Sequence, residues 1–303
     1  MRLLSYEKND VVHVGILLHD RIVDVNAAYS ILFKGSIPSD MLSFLDEGEM
    51  ALEKAKKVEQ AVMTSKKDLQ LISDLIINIR EVKVIAPIPR PRKNIICLGL
   101  NYSEHAEETQ SALPEYPIFF TKPPTSVIGP NAPVLFPKHT YRVDYEAELA
   151  IVIGKQGKNI TESEAYDYIA GYTVFNDITA RDFQRRHAQW FKGKGLDTFA
   201  PMGPCILTKD KVPNPHNLGI TLKVNGVLMQ NSNTKHMIFK IPTLLSYLTM
   251  DMTVEPGDII ATGTPSGVGF SRKPPIYLKP GDVMEVTIEH VGVLQNKVIS
   301  QIS

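Results

Sequence analysis

The stretch Asp144-Tyr-Glu-Ala-Glu-Leu-Ala-Ile-Val-Ile-Gly154 joins alternating acids to a run of apolar residues. Successive side chains of a strand point to opposite faces, so Glu146 and Glu148 share one face. From residue 149 to residue 153 both faces are apolar, and this pattern predicts a strand that is buried on both sides. Glu148 therefore lies where the chain enters a core. A carboxylate there has to be paired, neutralised or coordinated, because an unpaired charge is costly to remove from water.

A second apolar segment, Gly171-Tyr-Thr-Val-Phe-Asn-Asp177, also ends in a carboxylate. We interpret Glu146, Glu148 and Asp177 as a candidate metal site, because a divalent cation would compensate their charge. All three ligands are oxygen and no Cys or His lies at ligand spacing, so the set favours Mg²⁺ or Mn²⁺ over Zn²⁺. Three carboxylates leave about half of an octahedral sphere for water or substrate. The alternative is a group of strand-end acids that face solvent or a salt bridge.

Length and composition indicate an ordinary globular protein of one large or two unequal domains, since the chain has 303 residues and 43% of them are hydrophobic. Its 33 Lys and Arg balance its 33 Asp and Glu, and no basic cluster is interleaved with aromatics, so we expect no nucleic-acid partner. No apolar run approaches the roughly 20 residues that span a bilayer, and the N-terminus is too polar for a signal peptide. We therefore expect a cytoplasmic protein without a membrane partner.

A segment over residues 85–93 contains three prolines, which block helix, and we place a domain boundary there. We predict a small α+β N-terminal domain over residues 1–83 and a larger, mostly β domain over residues 84–303. In the larger domain, many short β-rich runs separated by turns favour a barrel or a sandwich over a doubly wound sheet. Its predicted strands cover residues 94–98, 118–121, 148–153, 172–176, 219–224, 258–262 and 283–288. The other predicted elements are strands at 11–18 and 21–25, helices at 40–62, 68–79, 161–168 and 242–248, and a short helix from 179.

Acid–base chemistry could come from a short helix that follows Asn101-Tyr102. His105 and Glu108 are three residues apart on it, so the carboxylate can accept a hydrogen bond from one imidazole nitrogen, which fixes the tautomer and raises the basicity of the other nitrogen. The alternative is a solvated histidine on an acidic helix. Glu104 and Glu107 fit the solvated face of such a helix better than His105 does.

Substrate contacts are predicted for three further segments. Arg181 and Gln184 lie one helical turn apart and begin four residues after Asp177, which places donors beside the candidate cation. Lys194 lies in a glycine-flanked loop where it could approach a bound carboxylate, although most loop lysines are solvated. Thr264 lies in residues 261–269, whose hydroxyl and backbone N–H groups could bind a carboxylate or oxyanion. The segment lacks the lysine and spacing of a phosphate loop, and the alternative is an ordinary turn.

Six motifs in this order resemble those of the fumarylacetoacetate hydrolase family, and they cover approximately residues 84–300. The motifs are Asn101-Tyr102 with His105 and Glu108, Phe120-Thr-Lys-Pro123, Asp144-Tyr-Glu-x-Glu-Leu149, Asn176-Asp-Ile-Thr-Ala-Arg-Asp182, Val224-Asn-Gly226, and Gly257-Asp-Ile-Ile-x-Thr-Gly-Thr-Pro-x-Gly-Val-Gly269. One departure is that Lys194 precedes a glycine where many relatives have serine.

The resemblance implies a mostly β fold of the distorted barrel or sandwich-roll type and a homodimer. It implies that Glu146, Glu148 and Asp177 bind Mg²⁺ or Mn²⁺. It also implies that His105, Glu108 and Lys194 are catalytic, and that Arg181, Gln184, Lys194 and Thr264 contact the carboxylate and oxo groups of the substrate. The N-terminal unit and the segment that begins at residue 179 look most like bacterial members that decarboxylate oxaloacetate.

A small 2-oxo acid can chelate such an ion through its carboxylate and 2-oxo oxygens, so that negative charge on the 2-oxo oxygen is stabilised as an enolate. We expect a metal-dependent enzyme of 2-oxo acids, with oxaloacetate decarboxylation as the first choice. Alternatives that share the enolate are hydrolysis of acylpyruvate- or fumarylacetoacetate-like diketo acids, including diketo-deoxy sugar acids, and oxaloacetate keto–enol tautomerisation or 2-oxo-ene-dioate isomerisation. A non-catalytic metal-binding regulatory protein is a further alternative. Specificity is expected to depend on the loop over residues 107–116.

Overall fold

The structure is a computed structural model and describes residues 1–186 and 188–301. Its strands are β1 (Arg2–Lys8), β2 (Val11–Leu18), β3 (Arg21–Asp24), β4 (Ile76–Asn78), β5 (Lys83–Ile85), β6 (Ile95–Gly99), β7 (Ile118–Lys122), β8 (Val127–Ile128), β9 (Val134–Phe136), β10 (Val143–Asp144), β11 (Ala147–Ile153), β12 (Gly157–Lys158), β13 (Ile169–Asn176), β14 (Thr179–Ala180), β15 (Ala200–Thr208), β16 (Gly219–Val224), β17 (Val227–Asn233), β18 (Thr253–Val254), β19 (Ile259–Ala261), β20 (Val283–Ile288) and β21 (Gly292–Ser300). Its α-helices are α1 (Val25–Phe33), α2 (Met41–Asp46), α3 (Glu49–Thr64), α4 (Lys66–Leu71), α5 (Ser103–Glu108), α6 (Arg181–Arg186), α7 (Phe191–Lys194) and α8 (Ile241–Thr249).

Most of the strands belong to two β-sheets. The main sheet has 12 strands in the order β4-β3-β2-β1-β15-β13-β11-β19-β6-β7, with β5 beside β1 and β8 beside β15. The second sheet has five strands in the order β17-β16-β20-β21-β9. The main sheet ends at β4 and β7, so within the described residues it is a distorted open sheet and not a closed barrel. The predicted mostly β, α+β fold is confirmed.

Strand β11 is buried on both faces, as its apolar run predicts. Leu149 and Ile151 pack in an apolar cluster to which the second sheet contributes Val286. On the other face, Val152 packs in a second cluster that includes Phe44 of helix α2. The strand therefore lies between the second sheet and the N-terminal helices, and neither face leaves room for an uncompensated charge.

The N-terminal residues extend the main sheet. Strand β1 pairs antiparallel with β15, where Leu3 lies opposite Ile206. The amino group of Met1 donates a hydrogen bond of 2.8 Å to Thr208 Oγ1. The predicted boundary between residues 83 and 84 stays a prediction, and the sheet itself continues across it.

The seven strands predicted between residues 94 and 288 all coincide with observed strands. The helix predicted over residues 68–79 is wrong in its second half. Helix α4 ends at Leu71, and the residues that follow include β4, which pairs antiparallel with β3. Pairing with a strand distant in sequence here outweighs the local helical pattern. The helix predicted from residue 179 begins at Arg181, because the two residues before it form β14 and pair with β10.

Among residues 1–186 and 188–301, no helix is both long enough and apolar enough to cross a membrane. The cytoplasmic location, the homodimer and the absence of nucleic-acid and membrane partners stay predictions.

Gly171 allows β13 to lie close to β15, and we expect Gly171→Ala to destabilise the fold. An added Cβ would lie 2.3 Å from the carbonyl oxygen of Leu207, so the two strands would have to separate. Overpacking of this kind costs about 1 to 3 kcal/mol. The measurement is the free energy of unfolding in urea.

Gly219→Ala is the matched control, because it also lies in a strand and its added Cβ would meet its nearest neighbour, Glu289 Oε2, at 3.5 Å. We expect the control to change the free energy of unfolding by less than about 1 kcal/mol. Equal losses for the two variants would contradict the close packing of β13 and β15.

Candidate metal centre and active site

The three predicted metal ligands come together where β11 begins and β13 ends. Glu146 immediately precedes β11, Glu148 is its second residue, and Asp177 immediately follows β13. The two strands are antiparallel neighbours, and the backbone N–H of Asp177 donates to the carbonyl of Glu146 at 2.9 Å. One carboxylate oxygen of each residue lies within 4.8 Å of those of the other two, and all three residues are buried. Antiparallel pairing therefore unites acids that are about 30 residues apart.

Of the three carboxylates, Glu148 has the fewest groups around it that compensate its negative charge. Its Oε2 accepts a hydrogen bond of 2.8 Å from the backbone N–H of Gly263. Its Oε1 is buried and has no hydrogen-bond partner among the described residues. Burial raises the pKa of Glu148 well above its ordinary value, and the charges of Asp177 and Glu146 raise it further. An orphaned carboxylate oxygen inside an all-oxygen cluster fits a hard divalent cation, which these three residues could hold.

Two buried lysines compensate part of this negative charge. Lys194 Nζ lies 2.7 Å from Glu146 Oε2 and 2.6 Å from Asp177 Oδ2. Burial opposes its charge, but Asp177 and Glu146 raise the pKa of Lys194 above the ordinary value. Lys122 donates to the other oxygen of Asp177 and to the carbonyl of Ile178. The carboxylate oxygens keep a second lone pair each, so these lysines and a cation can share them.

Arg181 connects the cluster to Asp144. Its Nε donates to Asp144 Oδ2 at 2.9 Å, and its Nη1 lies 2.7 Å from Glu146 Oε1 and 3.1 Å from Gln184 Oε1. Burial alone would raise the pKa of Glu146, but Lys194 and Arg181 lower it to about 2. The Nη2 of Arg181 is buried and has no partner among the described residues. That nitrogen is the donor that remains for a ligand.

The predicted pair of His105 and Glu108 lies on helix α5, with His105 Nδ1 3.5 Å from Glu108 Oε2. Glu108 also accepts from the backbone N–H of Gly267 at 3.0 Å. Burial would raise the pKa of Glu108, but the nearby polar groups of His105 and Ser271 and the backbone N–H of Gly267 lower it below the ordinary value. The separation of 3.5 Å is long for a hydrogen bond, and such contacts often tighten only when a ligand binds.

Glu104 is only partly solvated, because it also contacts three side chains of neighbouring elements. Its carboxylate accepts hydrogen bonds from Ser232 at 2.9 Å and from Ser266 at 3.3 Å, and it lies 3.5 Å from His236 Nε2. These contacts join helix α5 to β17 and to the loop after β19. Glu107 is exposed, as predicted.

Thr264 accepts a hydrogen bond from Gln230, a residue that the sequence analysis did not identify as functional. Gln230 Nε2 donates to Thr264 Oγ1 at 2.9 Å, while Gln230 Oε1 accepts from the backbone N–H of Ala147 at 2.9 Å. The hydroxyl hydrogen of Thr264 is therefore free to point toward a ligand. Gln230 is buried in β17 and shows no local pattern that marks it as functional.

A cavity of about 390 Å³ opens beside the acidic cluster. The predicted site residues that line it are His105, Glu146, Arg181, Gln184, Lys194 and Thr264. Glu108, Glu148 and Asp177 are neighbours of these lining residues. Thr109 and Ser111 of the loop over residues 107–116 also line the cavity, as do Arg185, Trp190 and Phe270, which the sequence analysis did not name. The structure thus brings all nine predicted residues together, and their individual roles stay predictions.

The chain matches a known protein family and several known proteins. The family model described as fumarylacetoacetate (FAA) hydrolase C-terminal matches residues 94–299. Oxaloacetate tautomerase YisK of Bacillus subtilis is 42% identical over 98% of this chain and 100% of that protein. The mitochondrial oxaloacetate tautomerase fahd2 of Xenopus laevis is 42% identical over 99% of this chain and 90% of that protein.

Solved structures agree with the sequence comparisons. The fumarylacetoacetate hydrolase of Exiguobacterium antarcticum superimposes with a TM-score of 0.83 at 36% identity and covers 99% of this chain and 100% of that one. A 5-carboxymethyl-2-hydroxymuconate delta-isomerase of Mycobacterium smegmatis has a TM-score of 0.75 at 31% identity, with coverage of 99% and 100%. Both similarities extend over nearly the whole chain, including the N-terminal residues before the family match. The chain therefore belongs to the fumarylacetoacetate hydrolase family.

Proposed function

We propose that this protein is a metal-dependent keto–enol tautomerase of oxaloacetate. The observation that carries the proposal is the full-length similarity to two proteins named oxaloacetate tautomerase, in a chain whose buried triad adjoins a cavity lined by proton-carrying side chains. These names favour tautomerisation, one of the alternatives in the sequence analysis, over decarboxylation, which was the first choice there. Both reactions develop an enolate with negative charge on the 2-oxo oxygen, and tautomerisation needs only the transfer of protons.

The reaction moves two protons and breaks no carbon–carbon bond. In the direction of the enol, a base removes a proton from C3, the electron pair of that C–H bond forms the C2–C3 double bond, and the 2-oxo oxygen takes up a proton. Glu146, Glu148 and Asp177 would hold Mg²⁺ or Mn²⁺. The bound ion supplies Lewis-acid stabilisation of the charge that develops on the 2-oxo oxygen.

The side chains around the cavity transfer the protons, stabilise the enolate and bind the substrate carboxylate. His105 is the base at C3, and Glu108 accepts from its Nδ1, which leaves Nε2 for the substrate proton. Protonated Lys194 stabilises the enolate and can return a proton to oxygen. Arg181, through its unpartnered Nη2, binds the substrate carboxylate next to the 2-oxo group together with Thr264.

Catalysis is tested with oxaloacetate supplied as the enol, whose ultraviolet absorbance disappears on ketonisation. We expect the protein with Mg²⁺ or Mn²⁺ to accelerate this loss without forming pyruvate. Chelation of the metal should return the rate to that of buffer, and added metal should restore it. Pyruvate released as fast as the enol disappears would instead support decarboxylation, and an unaccelerated rate would refute the proposal.

Metal binding is tested separately with Glu148→Gln. This substitution keeps the acceptor for the Gly263 N–H but removes the charge that the cation compensates. We expect the affinity for Mn²⁺, measured by calorimetry, to fall by about 100-fold or more. Glu107→Gln removes an exposed carboxylate from helix α5 and should leave the affinity unchanged. Unchanged affinity in Glu148→Gln, with a normal circular dichroism spectrum, would refute the assigned metal site.

Glu108→Gln tests the role of the carboxylate beside His105. Because the pKa of Glu108 is lowered, this group is ionised at neutral pH and its charge is lost only as the pH falls through that lowered pKa. We expect kcat to fall by about 10- to 100-fold at pH 7 while Mn²⁺ affinity stays the same. In the wild type, protonation of Glu108 should reduce kcat only below the ordinary pKa of a glutamate, because the pKa of Glu108 is lowered. Unchanged kcat would exclude Glu108 from catalysis.

A further inference from the structure

Arg185 lies at the cavity beside Arg181, one residue after Gln184 on helix α6. Both arginines stack on one aromatic ring. The guanidinium carbon of Arg181 lies 4.3 Å from the ring centroid of Phe270, and that of Arg185 lies 5.0 Å from the same centroid. Stacking on an aromatic face orients a guanidinium group without using its N–H donors. The ring of Phe270 thus positions the guanidinium group of Arg185 at the cavity wall.

Within the described residues the charge of Arg185 is uncompensated, unlike the charges of Arg181 and Lys194, which also line the cavity. Arg181 pairs with Asp144 and Glu146, and Lys194 pairs with Glu146 and Asp177. Arg185 has no carboxylate within ion-pair distance in residues 1–186 and 188–301. A planar guanidinium with free donors is suited to bidentate binding of a carboxylate.

The two ends of the cavity therefore differ in what they can bind. The acidic triad and Lys194 define the end that takes the carboxylate and oxo groups of a 2-oxo acid. Arg185 is exposed and lies nearer to solvent than the buried Arg181. We propose that Arg185 binds the distal carboxylate of the substrate, at C4 of oxaloacetate, and so selects 2-oxo acids that carry a second acidic group. This inference rests on the proposed function.

The experiment separates binding from catalysis by using a pair of non-reacting ligands. Malate and lactate are both 2-hydroxy acids, and only malate has the distal carboxylate. Trp190 is the single tryptophan of the chain and lines the cavity, so its fluorescence reports binding to the Mg²⁺-loaded protein. In Arg185→Gln we expect the Kd of malate to rise about tenfold and that of lactate to stay unchanged, as a lost charge-assisted hydrogen bond predicts.

Arg186→Gln is the matched control, because the neighbouring Arg186 pairs with Asp182 and does not line the cavity. It should leave the Kd of both ligands unchanged, and Arg185→Lys should restore part of the affinity for malate. With reacting substrates, Arg185→Gln should raise KM for oxaloacetate about tenfold and leave KM for phenylpyruvate, which lacks the distal carboxylate, unchanged.

Equal effects of Arg185→Gln on malate and lactate, or no effect on either, would overturn the role of Arg185. Equal effects of Arg185→Gln and Arg186→Gln would overturn it too, because they would reflect the general charge of the helix. A wild-type protein that does not tautomerise oxaloacetate would refute the proposed function. The malate and lactate comparison would still decide whether Arg185 recognises a distal carboxylate.

Discussion

Burial of negative charge at the junction of β11 and β13 is the constraint on which the rest of this site depends. Four carboxylates, those of Asp144, Glu146, Glu148 and Asp177, are almost completely removed from water there. Each needs a partner, because burying a bare charge costs several kcal/mol, which is a large share of the net stability of most domains. The compensating groups come from β7, α6 and α7, so charge pairing fixes the positions of these elements around the two strands. Glu148 is the carboxylate that no protein cation contacts among the described residues, so its charge is the one that a bound cation would compensate most.

Asp144 shows how one buried acid organises both ends of the cavity. Besides Arg181, it accepts from the backbone N–H groups of Gly269 at 2.7 Å and of Phe270 at 3.0 Å. The close approach requires glycine, since a Cβ at position 269 would lie 2.6 Å from Asp144 Oδ1 and 2.0 Å from the carbonyl oxygen of Ile276. The same carboxylate thus orients Arg181 and holds the backbone of Phe270, whose ring supports Arg185.

The sequence predicts the features of this structure that depend on local patterns. The double-sided apolar run after Glu148 predicts a buried strand, and the acids at its start predict part of the buried acidic cluster that could hold a metal. Other parts depend on partners far along the chain, which no local pattern shows. Lys122 meets Asp177 across 55 residues, and Glu104 meets Ser232 across 128. The second half of the helix predicted over residues 68–79 is wrong for the same reason, because residues 76–78 pair with β3 and do not continue the local helical periodicity.

The position of Arg185 bears on which reaction the shared enolate serves. Decarboxylation converts the ionised C4 carboxylate of oxaloacetate into neutral CO₂, so any ion pair made by that carboxylate is lost as the carbon–carbon bond breaks. A cation that binds it stabilises the substrate more than the transition state and raises the barrier to CO₂ release. Tautomerisation leaves the C4 charge intact, and the same ion pair persists through proton transfer at C3. If Arg185 binds the C4 carboxylate as proposed, this ion pair therefore favours movement of a proton over loss of CO₂.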